Sequence, residues 1–86
     1  MPKIEIYTKD FCGYCTMAKQ LLESKGQTYE EINVTQNPDR MPEMVERSGG
    51  RMTAPEIFID GQLVGGYQEL AALESAGQLD GMLAAN

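Results

Sequence analysis

The chain has 86 residues, a net charge of −6, 42% apolar and 23% charged residues, two cysteines and no histidine. This length makes one domain, residues 1–86, and the composition is that of a globular protein. The acidic balance argues against nucleic acid and anionic membrane as partners, because both require a basic face.

The opening "MPKIEIYT" has no apolar core of a secretory leader, and no apolar run approaches the ~18 residues of a membrane-spanning helix. The expected location is cytoplasmic, where thiols stay reduced. "KIEIYT" alternates, with Ile4 and Ile6 on one face, and predicts a short strand. Cys12 then stands at the start of a helical pattern carried by Cys15, Ala18, Leu21 and Leu22, with Gly26 as its stop. "YEEINV" reads as a second strand, so the first three elements make a right-handed parallel βαβ unit. Asn37-Pro38 looks like a helix cap and first-turn proline ahead of Met41, Met44 and Val45. Pro42 conflicts with that start, since a helix from Pro38 would need its amide; the alternative is a helix beginning at Pro42. "PEIFIDGQLVGG" reads as a hairpin turning at Asp60-Gly61. "YQELAALESAG" is an amphipathic helix with Leu70 and Leu73 inward, and "QLDGMLAAN" a short last turn with Leu79 and Leu83 able to dock. The order is β-α-β-α-β-β-α, an α/β fold with a central mixed sheet and flanking helices.

The cysteine pair has three possible uses. A structural zinc wants four Cys or His ligands, and this chain offers two cysteines alone, so no metal is expected in a monomer. A Cys-x-x-Cys bridge closes too short a loop to remove much unfolded-state entropy. Reactivity is the favoured use, with a metal shared between two chains left open.

Three segments carry a resemblance: "YTKDFCGYC", then "TAP" opening a strand, then "GGYQEL" opening the last long helix. In that order and spacing the chain resembles a dithiol glutaredoxin from Ile4 to about Leu83. The resemblance implies the minimal thioredoxin fold with a four-stranded mixed sheet. It implies a glutathione-dependent oxidoreductase acting on glutathione mixed disulfides and protein disulfides, with glutathione as co-substrate.

The residues can be weighed beside that resemblance. A thiol must be a thiolate to attack a disulfide, and the free amides and dipole of a helix N-terminus stabilise the anion. Cys12 is therefore the nucleophile and Cys15, one turn inside, the resolving partner; Lys9 adds positive charge nearby. Tyr14 either shields the sulfur and flanks a bound peptide or simply packs. In Thr53-Ala54-Pro55 an X-Pro bond would by itself be read as trans. The resemblance implies cis, beside the reactive cysteine, with the Ala54 backbone free to pair with the cysteine of glutathione. Ala54 stands where the family more often has Val. Gly66 would let a ligand approach, and the amides of Tyr67 and Gln68 would receive its γ-glutamyl carboxylate. Gln68 replaces the Asp or Thr of many relatives and offers no charge to the ligand's ammonium. Lys9 is the best cation for the glycyl carboxylate; Arg51 and Arg40 are weaker candidates, read as lone solvated charges.

Two rival readings remain. A thioredoxin-like reductase is disfavoured by the lack of an aromatic-Cys-Gly-Pro-Cys segment and of any tryptophan. The other is a dimeric glutaredoxin that carries a [2Fe–2S] cluster between two chains. It rests on Gly13, which stands where the family usually has Pro. Each chain would then give Cys12, and two glutathiones would complete the thiolate set. The expected default state is a monomer.

Overall fold

The computed structural model describes residues 2–84; Met1 and the end of the C-terminal segment, Ala85 and Asn86, lie outside the described residues. Strand β1 (Ile4–Thr8) leads into helix α1 (Gly13–Ser24) and then strand β2 (Glu30–Asn33). A short 3-10 turn (Pro38–Arg40) runs into α2 (Met41–Arg47). Strands β3 (Glu56–Ile59) and β4 (Gln62–Gly65) form the hairpin, followed by α3 (Tyr67–Ser75) and α4 (Leu79–Leu83). The sheet order is β2-β1-β3-β4. β1 pairs parallel with β2, as the intervening helix requires, and antiparallel with β3. The hairpin turns through Asp60 (φ 51°) and Gly61 (φ 81°), the pair of positive φ values that matches the twist of two antiparallel strands.

The proline conflict resolves into two consecutive helices. Asn37 caps the 3-10 turn without a side-chain bond to it, and Pro42 falls in the first turn of α2, where its missing amide costs nothing.

The sheet is covered on both faces, and the pleat sorts the side chains. Ile4, Ile6, Ile57 and Ile59 face Ala18 and Leu22 of α1, Leu70 of α3, and Leu79 and Leu83 of α4. Tyr7, Ile32 and Phe58 face Met44 of α2. Strand β3 is buried at every position, with Ile57 and Ile59 on one face and Phe58 and the acid Glu56 on the other. Glu5 occupies a polar position of the β1 alternation, yet α2 covers that face. Arg47 grips it with two bonds (Nη2–Oε1 2.9 Å, Nη1–Oε2 3.2 Å) and lies 4.2 Å above the Phe58 ring. Arg47 also donates to the Tyr7 hydroxyl at 2.8 Å, while that hydroxyl donates to Glu43. The cluster docks α2 on the sheet through polar groups that satisfy one another.

Candidate active site

Cys12 is the N-cap of α1, with extended backbone (φ −114°, ψ 103°). Its Sγ accepts the Cys15 amide at 3.1 Å, the bond a capping serine would make. A sulfur placed there receives a free helix amide and the positive end of the helix dipole, which favours a thiolate over a thiol. Cys12 and Cys15 are joined by a disulfide, with Cα atoms 5.2 Å apart. Cys12 is partly exposed and Cys15 is buried, so an attacking or departing partner meets Cys12 first.

The chain then brings the second segment to the sulfur. Ala54-Pro55 is a cis peptide, and the Ala54 carbonyl oxygen lies 3.8 Å from Cys12 Sγ. Beyond it opens a cleft of about 120 Å³, bounded by Thr53, Ala54 and Pro55 on one side and by Gly66, Tyr67 and Gln68 on the other, with the Arg51 and Glu69 side chains also on its lining. Tyr14 belongs to this cleft and stacks on Tyr67, with ring centroids 6.0 Å apart and planes at 23°. Tyr14 remains more than half exposed, so it forms a wall of the cleft rather than part of the core. Tyr67 and Gln68 occupy the first turn of α3, where helix amides have no internal acceptor.

Lys9 stands apart from that cleft. It lines a neighbouring depression of about 380 Å³ with Cys12, Gly13 and Cys15, and its Nζ donates to the Met52 carbonyl at 3.0 Å. Arg40 and Arg51 are not the lone solvated charges that the sequence suggested. Arg40 forks onto Glu43 (2.7 and 3.0 Å), one helical turn away. Arg51 binds two carboxylates, Glu56 Oε2 at 3.2 Å through Nε and Glu69 Oε1 at 2.9 Å through Nη2. Both arginines find acids because the chain has 13 acidic and 7 basic side chains, leaving carboxylates in excess.

Sequence reasoning passed over Glu56 and Glu69. Glu69 accepts the Gly66 amide at 2.8 Å and so caps α3; its place three residues after Gly66 is the spacing of a capping box. Glu56 opens β3 fully buried, one oxygen held by Thr53 Oγ1 (3.1 Å) and Arg51, the other without a hydrogen-bond partner. Burial pushes the Glu56 carboxyl above its ordinary value, and Arg51 and Thr53 pull it partly back. The Gly66 amide and Arg51 hold Glu69 below its ordinary value.

The glutaredoxin family model matches residues 4–64. Glutaredoxin 3 of Escherichia coli strain K12 is 48% identical over 83 residues, covering 96% of this chain and 99% of that protein. A glutaredoxin of Pseudomonas aeruginosa is 45% identical over 85 residues, covering 99% of this chain and all of that one. Among solved structures, the buckwheat glutaredoxin–glutathione complex superposes with a TM-score of 0.87 at 28% identity, covering 98% of this chain and 78% of that one. The Brucella melitensis glutaredoxin does so with a TM-score of 0.80 at 47% identity, covering 94% and 87%.

Proposed function

The chain belongs to the glutaredoxin family of thiol–disulfide oxidoreductases, and from that premise we propose that it works with glutathione through Cys12. The observation that carries this reading is the partly exposed Cys12 sulfur, bonded to a helix N-terminal amide and adjacent to the Ala54 backbone. The Cys12 thiolate attacks the glutathione sulfur of a mixed disulfide. A Cys12–glutathione disulfide forms, and the target leaves as its thiolate. A second glutathione thiolate then attacks the bound glutathione sulfur, giving glutathione disulfide and restoring the Cys12 thiolate. With a protein disulfide, Cys12 forms a mixed disulfide with the protein and Cys15 resolves it. That step yields the Cys12–Cys15 bond seen here, which two glutathiones reduce in turn.

The cleft suits the glutathione moiety by its chemistry. Extended peptide backbone pairs with Ala54, and a carboxylate suits the amides of Tyr67 and Gln68. Binding of glutathione by the similar buckwheat protein supports this mode. We assign Lys9 to the glycyl carboxylate, from the side of the neighbouring depression. The setting is the cytosol, the working form is a monomer, and the partners are glutathione and proteins carrying disulfides or glutathione adducts. The test is turnover of a glutathionylated peptide with glutathione and glutathione reductase, run beside thioredoxin reductase. Turnover with thioredoxin reductase alone, or none with either, refutes the reading.

The iron–sulfur alternative has one favourable observation. Apart from its chain neighbours and its own helix, nothing lies within 4 Å of a Cβ at Gly13, so that side of the α1 start faces open space beside Cys12. Among the described residues no group of three or more His, Cys, Asp or Glu converges. A cluster would need Cys12 from two chains, with glutathione thiolates for the rest.

A further inference from the structure

The two walls of the cleft continue from β3 and β4, the paired strands of one hairpin, and beyond their last ladder pair, Ile57–Gly65, the Arg51 side chain adds a second tie between them. Resting on the glutathione reading above, we propose that Arg51 is the positioning residue of this cleft: held between Glu56 of β3 and Glu69 of α3, it fixes the spacing between the Ala54 backbone and the α3 N-terminus and so sets affinity for the glutathione-bearing substrate.

Arg51 is fixed at both ends. Its backbone is anchored to the end of α2, where the buried Ser48 Oγ accepts its amide at 3.1 Å and lies 3.1 Å from its carbonyl oxygen. Its guanidinium reaches across to both walls. Glu56 directly follows the cis Ala54-Pro55 segment, so holding its carboxylate holds that segment. The Glu69 oxygen that Arg51 binds is the one that receives the Gly66 amide, so the guanidinium, the carboxylate and the α3 cap form one chain of bonds. The paired strands bring the walls close and Arg51 beside them: a Cβ on Gly66 would stand 3.4 Å from the Pro55 carbonyl oxygen and 3.9 Å from Arg51 Nη2.

The Arg51–Glu69 half of this bridge is exposed and by itself contributes little. The Glu56 half differs, because Glu56 is fully buried with one unpartnered oxygen, a liability to the fold. Burying Glu56 makes sense if its charge draws Arg51 to one place. The direction of the Glu56 shift agrees: burial raises its carboxyl, and Arg51 is the leading influence that lowers it again. A guanidinium is also the group for the task, because its planar fork binds two acceptors at fixed angles while an ammonium binds as a point charge.

The experiment is steady-state turnover of a glutathionylated peptide by the full chain with glutathione and glutathione reductase, comparing wild type, Arg51→Met, Arg51→Lys, Glu69→Gln and Arg51→Met/Glu69→Gln. Arg51→Met should raise KM for the peptide about tenfold, with kcat within about twofold, as for lost uniform binding. Titration of the Cys12 thiolate by ultraviolet absorbance should match wild type, because the α1 terminus is untouched. Arg51→Lys should recover less than half of the lost affinity. Glu69→Gln keeps the acceptor for Gly66 and should raise KM about threefold, and the double variant should be no worse than Arg51→Met, since the two act as one unit. If Arg51→Met fails to fold by circular dichroism, Arg51→Lys and Glu69→Gln carry the same comparison. A wild-type KM in folded Arg51 variants, or losses that add in the double variant, overturns the proposal. Failure of the wild type to turn over the peptide is a different result; it removes the glutathione reading, and this inference with it.

Discussion

Gly65, the last residue of β4, and Gly66, the cap of α3, should respond in opposite ways to alanine. Gly65 has φ +119°, a region that residues with a Cβ rarely enter, and its Cβ would stand 2.5 Å from Glu69 Oε1 and 3.0 Å from Arg51 Nη1. The Glu69 end is flexible and can move, but only by leaving the Gly66 amide that it caps. The backbone strain costs about 1–3 kcal/mol, and the lost cap about 1 kcal/mol. Gly65→Ala should therefore lose about 2–4 kcal/mol of stability, which for a domain of this size lowers Tm by roughly 10–25 °C. Gly66 has φ −91°, open to any residue, and its Cβ would meet nothing closer than the Pro55 oxygen at 3.4 Å. Gly66→Ala should melt near wild type and instead raise KM for a glutathionylated peptide, because its methyl group narrows the cleft. Thermal unfolding followed by far-ultraviolet circular dichroism gives the first quantity, and coupled turnover the second. A Gly65→Ala variant as stable as wild type, or a Gly66→Ala variant that melts lower than Gly65→Ala, would refute this account of the turn.

The remaining predictions concern the sulfur, its surroundings and acid. Cys12→Ser should abolish turnover of glutathionylated peptide, while Cys15→Ser should keep it and lose reduction of protein disulfides; exchanged behaviours would reverse the two roles. Lys9→Met should raise KM about fivefold or less at low salt, with the difference shrinking as salt rises, since Lys9 sits near the surface and already binds the Met52 carbonyl. Arg47 holds Glu5, and Arg40 with Tyr7 holds Glu43, below the ordinary carboxylate value of 4.5. Lowered folded values stabilise above that pH, and the gain disappears as pH falls through them; Arg47→Met should make the acid-side loss in urea unfolding shallower by removing the Glu5 share. On the iron–sulfur alternative, anaerobic reconstitution with iron, sulfide and glutathione gives a coloured dimer for wild type and not for Gly13→Pro; a colourless monomer from both ends that alternative.

Much of the fold is legible because it depends on local signals. The alternation in "KIEIYT" predicts one strand and the Asp60-Gly61 turn a hairpin, and both are present at those positions. Glu5 was harder. Its place in the alternation gives it the opposite face from Ile4 and Ile6, but not whether water or a helix covers that face; α2 covers it, and Arg47 answers. The proline pair was ambiguous because both prolines are acceptable in first turns, and the chain uses two first turns in succession.

The reactive sulfur and the cleft differ in the same way. What favours a thiolate at Cys12 lies within one helical turn: a cap position, one amide and a dipole, all encoded between Cys12 and Cys15. A spacing of two residues is enough to read it. What shapes the cleft is a set of contacts over long separations, from Arg51 to Glu69 and from Tyr14 to Tyr67. In sequence a charge looks the same whether it is solvated or clamped, so Arg51 reads as a spare cation. The one local clue was Glu56, an acid opening an apolar run where a strand must be buried on both faces. A buried acid demands a partner, and the partner here is the side chain that joins the two walls. The chemistry is thus set by neighbours along the chain, and the affinity by neighbours in space, so substitutions at Arg51, Glu56 and Glu69 should change which substrates are bound well before they change what Cys12 does to them.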